Sequence, residues 1–182
     1  QLHLLYLSAK DISVERDAKL TELKKLITQK VKNPHKTASV VGELTTNKHG
    51  KPNRKVLVFT AFADTAYYLY NALREWATKD LNIHIAMVTG GTAEDKTSFG
   101  KTDFNHILTN FSPISKQRAK IKSMPQGEEI DLLIGTDCIS EGQNLQDCDY
   151  LINYDIHWNP VRIIQRFGRI DRIGSVNHSI QL

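Results

Sequence analysis

The sequence has little cysteine and no long apolar run, and both absences narrow the class of protein. Among 182 residues only Cys138 and Cys148 are cysteines, with no Cys-x-x-Cys pair, so neither a zinc site nor a disulfide framework is indicated. The seven histidines lack the spacing of metal ligands. No apolar stretch approaches the roughly 20 residues of a membrane-spanning helix, and no signal-peptide pattern occurs. We therefore expect a cytoplasmic protein with two buried, reduced thiols and no membrane partner.

The composition is that of a folded domain. Hydrophobic residues make up 40% of the chain and charged residues 24%, as in ordinary globular proteins. A net charge of +4 and a pI of about 9.0 permit nucleic-acid binding without requiring it. The chain opens at Gln1 and not at a methionine, so we expect it to be a piece of a longer protein.

Short apolar runs alternate with stretches of helical spacing. The runs at 55–59, 83–88 and 131–135 are typical of buried strands in a parallel sheet, and we expect further strands at 150–154 and near 179–182. A helix is predicted after the first strand from the apolar spacing of Phe62, Ala66, Leu69, Tyr70, Leu73 and Ala77. A pair of helices is expected over 102–123. This alternation predicts an α/β fold, a parallel sheet with helices on both faces.

A separate helix is predicted ahead of the sheet. Residues 13–31 carry Leu20, Leu23, Ile27 and Val31 at helical spacing. The polar stretch 33–54, with its prolines and glycines, is typical of a connector. We therefore divide the chain into a leading helix and polar connector at 1–54 and an α/β domain at 55–182.

The segment 155–175 is the most informative part of the chain. Pro160 suits the first position of a helix, and Gln165, Arg169 and Arg172 follow at spacings of three and four residues, which predicts that they share one side of that helix. Gly168 beside Arg169 would allow close approach of the backbone. Two permanently charged guanidiniums, each able to bind bidentately, suit a polyphosphate.

These residues carry a resemblance to a known family. The pattern resembles motif VI of the superfamily-2 helicases and translocases in the residues Gln165, Gly168, Arg169 and Arg172. The lead-in Trp158-Asn159-Pro160 is similar to the Swi/Snf-type branch, in particular its bacterial RapA-like members. The resemblance implies a helicase C-terminal, second RecA-like domain, in which Arg169, Arg172 and Gln165 act catalytically on ATP and Gly168 lies at the nucleotide.

Other motifs of the family occur in the expected order. The segment 129–146 is similar to motif V, which implies that Thr136 contacts a nucleic-acid phosphate and that Gly142 and Asn144 lie near the ATP ribose. The segment 55–62 resembles motif IV, and 83–92 corresponds to the segment called motif IVa. By this resemblance the further nucleic-acid contacts are Thr60, Thr89 and Gly90.

Two parts of such a motor are missing from the sequence. Gly100-Lys101-Thr102 is not a phosphate-cradling loop, because Asp95 stands where the leading glycine should be and no buried apolar run leads into it. No Asp-Glu pair follows a hydrophobic strand. We therefore expect ATP and Mg²⁺ to be held mainly by an absent N-terminal RecA-like half, and we expect the isolated chain to be inactive.

The resemblance implies the second motor domain of an ATP-dependent helicase or translocase. The expected partners are double-stranded DNA, the N-terminal half of the same protein, and a DNA-bound protein such as RNA polymerase. One alternative is a RecA-like module that binds nucleic acid or protein without hydrolysis. Another is half of a DEAD-box-type RNA helicase, although Gln165 stands where those proteins usually carry histidine.

Some neighbouring residues have structural interpretations. Trp158 is expected to be a hydrophobic lid over the motif VI helix, with a base-stacking platform as the alternative. Asp155 is expected to be a turn or capping acid, and Glu141 a partner of Arg166 or Arg169. A solvated helix face, with DNA contact as the alternative, is expected for the cations Lys116, Arg118, Lys120 and Lys122.

Overall fold

A five-stranded sheet organises the computed structural model, which describes residues 16–33, 53–90, 95–140, 142–156, 158–173, 175, 177 and 180–182. The strand order is β3-β2-β4-β1-β5. The strands are β1 (Val56–Phe59), β2 (His84–Val88), β3 (Lys96–Thr97), β4 (Ile130–Gly135) and β5 (Leu151–Asn153). All neighbours pair in parallel except β3, which is antiparallel to β2 at the sheet edge. All four residues of β1 are buried, as the apolar run predicts.

Helices cover both faces of this sheet. They are α1 (Ala18–Lys32), α2 (Ala63–Lys79), α3 (Phe104–Phe111) and α4 (Pro160–Phe167). The helices α1 and α2 contribute to a core on one face, with Leu23 and Leu73 among its members. Ile107 and Phe111 of α3 belong to the core on the other face. The expected α/β fold with a leading helix is therefore confirmed, and a membrane-spanning helix is not found among the described residues.

The leading helix α1 packs as part of the same core. Asp17 caps it, because its Oδ1 accepts from the backbone N of Leu20 at 2.9 Å. Leu20 and Ile27 are 1% and 0% exposed. Near the other end the Nζ of Lys30 donates to Oδ2 of Asp149 at 2.7 Å. The predicted start of this helix at 13–15 and most of the predicted connector, 34–52, lie outside the described residues.

The expected pair of helices over 102–123 is wrong. Only α3 forms, and turns with a short 3-10 helix at Arg118–Lys120 follow it. Arg118 is 6% exposed, and its Nη1 donates to Oδ1 of Asn110 and to the backbone oxygen of Glu128 at 3.1 and 2.7 Å. The charged run is therefore not a wholly solvated helix face, since this guanidinium satisfies groups inside the fold.

The expected last strand is reduced to one bridge in the described part of the chain. Tyr150 pairs in parallel with Gln181, and the backbone N of Gln181 donates to the oxygen of Asp149 at 2.8 Å. Residues 178–179 lie outside the described residues, so the predicted strand near 179–182 is described only from 180 onward.

Candidate nucleotide and nucleic-acid site

The carboxyl ends of β1, β2 and β4 meet at one edge of the sheet and bring Thr60, Thr89 and Thr136 together. The last residues of β1 and β2 are both in register with Gly135. The backbone N of Thr60 donates to the oxygen of Gly135 at 3.0 Å, and that of Thr136 to the oxygen of Val88 at 3.3 Å. Open α/β sheets bind their ligands at this edge.

The hydroxyls of Thr60 and Thr136 are engaged inside the domain. Thr60 Oγ1 donates to Oδ2 of Asp155 at 2.5 Å, and Thr136 Oγ1 donates to the backbone oxygen of Thr89 at 2.9 Å. The three threonines are 0%, 7% and 8% exposed in chain order. The Thr60 hydroxyl can donate a hydrogen bond to a phosphate only if its hydrogen bond to Asp155 breaks. Their contact with nucleic acid stays a prediction.

Gly90 follows β2 and is exposed at this edge. Its φ is +64°, and a Cβ built there would lie 2.2 Å from the Cβ of Cys138. Both observations require glycine, because side chains avoid this φ and the turn lies against the loop after β4.

Cys138 is half-buried, so the expectation of two buried thiols holds only for Cys148. Burial raises the pKa of the Cys148 thiol to about 12.

The loop after the 3-10 turn Asp137–Ser140 carries the two predicted ribose contacts. Gly142 has a φ of +71°, which favours glycine, and none of the described residues that are not its chain neighbours has a heavy atom within 4 Å of a built Cβ. Oδ1 of Asn144 accepts from the backbone N of Gln146 at 3.2 Å. The backbone N of Leu145 donates to the oxygen of Arg169 at 3.1 Å. This bond joins the motif V loop to the motif VI segment.

The helix α4 begins as the sequence predicts but ends early. Oδ1 of Asn159 accepts from the backbone N of Val161 at 3.0 Å, and Pro160 occupies the first helical turn. Gly168 caps the end of the helix. The expectation that Arg169 and Arg172 lie on the helix with Gln165 is therefore wrong, because both arginines follow the helix.

The two arginines nevertheless stay near the end of α4. The Nε of Arg169 donates to the backbone oxygen of Gln165 at 3.2 Å, and the Nε of Arg172 to that of Gly168 at 3.1 Å. Arg172 and Gln165 are exposed, and Arg169 is half-buried. A Cβ at Gly168 would lie 3.5 Å from the nearest heavy atom, the oxygen of Ile164. Within the described residues no close backbone approach requires this glycine.

Arg166 is a residue of this site that the sequence analysis did not assign. It is 0% exposed. Its Nε donates to Oδ1 of Asp137 at 2.7 Å, and its Nη1 donates to Oδ1 of Asn153 at 3.0 Å and to the backbone oxygen of Asp155 at 3.3 Å. Arg166 therefore ties α4 to the ends of β4 and β5. Its partner is Asp137; the predicted partner Glu141 lies outside the described residues.

Asp155 does more than cap a turn. Its Oδ1 accepts from the Nζ of Lys19 at 3.0 Å, and its Oδ2 accepts from Thr60 and, at 3.3 Å, from the backbone N of Ala61. Burial acts to raise the pKa of this carboxyl, but the hydrogen bonds from Thr60, Lys19 and Ala61 outweigh it and lower the pKa. The contact of Lys19 with Asp155 spans 136 positions, which no local pattern could indicate.

An exposed apolar surface lies around the start of α4. Trp158 is 88% exposed, so it covers little of the motif VI helix, and the expectation of a hydrophobic lid there is wrong. Three further apolar residues near it are exposed by 52% to 82%, namely Ile156, Val161 and Ile164. Clustered apolar exposure of this kind marks a surface for docking a partner or ligand.

The described residues do not supply a site for a metal ion. No group of three or more His, Cys, Asp or Glu side chains is placed to hold one within the described ranges. The segment 100–102 lies between the short edge strand β3 and α3, and the cap of α3 is Asp103, whose Oδ1 accepts from the backbone N of His106 at 3.0 Å. An acid at that helix start is unfavourable for a phosphate. These residues fit neither Mg²⁺ nor a phosphate cradle.

The chain belongs to the family described as helicase conserved C-terminal domain, whose profile matches residues 18–174. It is 31% identical over 175 residues to "Uncharacterized ATP-dependent helicase YqhH" of Bacillus subtilis, covering 87% of this chain and 27% of that protein. It is also 31% identical over 143 residues to "RNA polymerase-associated protein RapA" of Erwinia tasmaniensis, covering 79% of this chain and 12% of that protein. The chain thus spans 27% or less of either relative.

A solved structure has the same fold. The C-terminal part of the Fun30 ATPase domain superposes with a TM-score of 0.56 at 18% identity, over 96% of this chain and 44% of that one. The resemblance to helicases of the Swi/Snf type is therefore confirmed by the family profile and the relatives, and the solved structure confirms the fold.

Proposed function

We propose that this chain is the second motor domain of an ATP-dependent nucleic-acid translocase of the Swi/Snf type. The observation that carries the proposal is the bond from the backbone N of Leu145 to the oxygen of Arg169, 3.1 Å long. It joins the loop that carries Gly142 and Asn144 to the segment that carries the arginines, which supports a shared nucleotide site. Membership of the helicase C-terminal family supports an ATP-driven activity for the whole protein.

In this proposal Arg169 and Arg172 act on ATP held by the other RecA-like half. Their guanidiniums stabilise the charge that develops on the transferred phosphoryl group. Gln165, which is exposed on α4, positions either an arginine or the attacking water. Gly142 and Asn144 lie near the nucleotide ribose, and Gly168 lies at the nucleotide.

The proposal assigns the phosphates of ATP and the Mg²⁺ to the other half. That half would hold the ion, whose charge would neutralise part of the charge on the phosphates. The exposed apolar surface of Trp158, Val161 and Ile164 lies on the same segment as the arginines and suits contact with an apposed domain. Closure of the two halves would bring the arginines onto ATP and exclude water.

The nucleic acid would run along the carboxyl edge of the sheet. Thr60, Thr89, Gly90 and Thr136 supply its backbone contacts, and such contacts carry no sequence information. We propose duplex DNA as the track, by analogy with the Swi/Snf branch. One relative is named for its association with RNA polymerase, and we propose a DNA-bound protein of that kind as the cargo. The location would be the cytoplasm, where unpaired thiols stay reduced.

ATP hydrolysis by the parent protein, with both halves present, tests this function. The rate would be compared with duplex DNA, single-stranded DNA and RNA, with the isolated chain as the control. We expect strong stimulation by duplex DNA and no turnover by the isolated chain. Stimulation by RNA alone would assign the protein to the RNA-helicase branch. If no polymer supports ATP turnover, the chain is a binding module without hydrolysis. Turnover by the isolated chain would contradict the two-half mechanism.

A further inference from the structure

Three segments of the chain contact Asp155, which lies just after β5. Its Oδ1 lies 3.0 Å from the Nζ of Lys19 in the leading helix, and its Oδ2 lies 2.5 Å from Oγ1 of Thr60 at the end of β1. Its backbone oxygen accepts from Nη1 of Arg166 on α4 at 3.3 Å. The Asp155 carboxylate therefore connects the leading helix to a predicted phosphate contact, and the backbone oxygen of the same residue contacts the motif VI helix.

The leading helix is held at its two ends by ion pairs of different character. Lys30 and Asp149 are each 1% exposed, and their pair is part of the core. Lys19 and Asp155 are 55% and 23% exposed, and the Nζ of Lys19 also lies 4.0 Å from the centre of the Tyr154 ring. An exposed pair adds little to stability. The Lys19 pair can therefore open and close at little cost to the fold.

We propose that Lys19 is a positioning residue for nucleic-acid binding, which it controls through Asp155 and Thr60. This inference rests on the proposed function. It assigns a part in the motor to the leading helix, which lies ahead of the segments assigned to motifs IV, V and VI. The partner is the nucleic-acid backbone phosphate that approaches the end of β1.

The mechanism is a competition for one hydroxyl. The hydroxyl of Thr60 has a single proton, and it is donated to the Asp155 carboxylate. The positive charge of Lys19 partly neutralises the Asp155 carboxylate. The carboxylate then accepts the Thr60 hydrogen bond less strongly, and it repels an approaching phosphate less. Without Lys19 the Asp155 carboxylate would hold the hydroxyl more strongly and would face the phosphate uncompensated. Removal of Lys19 should therefore weaken nucleic-acid binding.

The experiment compares Lys19→Met with wild type in the parent protein. ATP turnover is measured against duplex DNA concentration, and thermal unfolding is measured alongside. We expect the DNA concentration for half-maximal stimulation to rise about fivefold to tenfold, with less than a twofold change in the plateau rate. Lys19→Arg should restore the wild-type value. Lys25→Met is the matched control, because Lys25 lies on the same helix and pairs with Glu22 at 3.2 Å, away from Asp155.

A second arm tests whether Lys19 acts through Asp155. In an Asp155→Asn background the Lys19→Met change should no longer shift the DNA requirement, because two residues acting through one contact are not additive. An equal shift in both backgrounds would overturn the inference, and so would a Lys19→Met protein that matches Lys25→Met. If Lys19→Met lowers thermal stability together with nucleic-acid binding, Lys19 has only a structural role and the inference is overturned. A wild-type protein that nucleic acid fails to stimulate would instead contradict the proposed function.

Discussion

Arg166 and Asp137 form a buried ion pair between α4 and the turn that follows β4, with the Nε of the arginine 2.7 Å from Oδ1 of the aspartate. The side chain of Arg166 is 0% exposed and that of Asp137 is 27% exposed. Motifs V and VI are thus joined by a charged contact in addition to the backbone bond of Leu145 to Arg169. The pair fixes the orientation of α4, and with it the position of the two arginines that follow.

Replacing Arg166 by methionine should destabilise the domain. The change leaves the Asp137 carboxylate and the amide oxygen of Asn153 without this donor, and breaking a buried pair is costly. We expect a loss of about 2–4 kcal/mol in the free energy of unfolding, measured by urea titration, reduced from the fully buried case because Asp137 is partly exposed. Arg162→Met on the same helix is the control. Equal stability of the two variants would show that the pair does not hold α4.

The buried pair of Lys30 and Asp149 predicts a pH-dependent defect. Burial raises the pKa of the Asp149 carboxyl, and Lys30 partly offsets this. Lys30→Met removes the offset, so the folded pKa should rise further and the variant should lose about 3–5 kcal/mol near pH 8. A carboxyl whose pKa is raised by folding destabilises the folded state as the pH rises from the pKa of the unfolded chain to that of the folded chain. The defect of the variant should therefore shrink toward pH 5.

Chemical denaturation of this variant at pH 5 and pH 8 measures that defect. Lys32→Met is the matched control, because Lys32 lies on the same helix and is exposed. It should change stability by no more than about 0.5 kcal/mol at either pH. A Lys30→Met defect that stays constant between the two pH values would show that Asp149 does not bind a proton in the folded variant.

Gly90→Ala should destabilise the domain through both its backbone and its surroundings. A residue with a side chain disfavours the φ of +64°, and the new Cβ would lie 2.2 Å from the Cβ of Cys138. We expect a loss of at least about 1–2 kcal/mol in the free energy of unfolding. Gly127→Ala is the control, since nothing lies within 4 Å of its Cβ. A Gly90→Ala protein as stable as this control would contradict the described contact between the two loops.

The sequence predicts the sheet and the strand ends well, because burial leaves a strong local pattern. The runs that form β1, β2 and β4 are continuously apolar over most of their length, and parallel pairing then brings Thr60, Thr89 and Thr136 to one edge. The short antiparallel β3 has no such run, since its two residues are Lys96 and Thr97 and both are half-buried.

The sequence does not predict contacts between polar residues that lie far apart along the chain. Arg118 looks like one of several surface cations, yet it donates to Asn110 and Glu128 inside the fold, and the helix expected around it gives way to turns. Trp158 is predicted to be a hydrophobic lid over the motif VI helix, yet it is 88% exposed. In both cases the tertiary environment, which local pattern does not encode, decides burial.

The most direct test of the central claim is the ATP turnover number of the parent protein with Arg172→Ala, measured at saturating nucleic acid. Arg54→Ala is the matched control, because Arg54 lies two residues before β1 and donates from Nη2 to the backbone oxygen of Leu81 at 2.9 Å. If Arg172 acts on the transferred phosphoryl group, its loss should lower the turnover number by about 10³–10⁵-fold while thermal stability matches that of the control. A turnover number within tenfold of wild type would contradict the account.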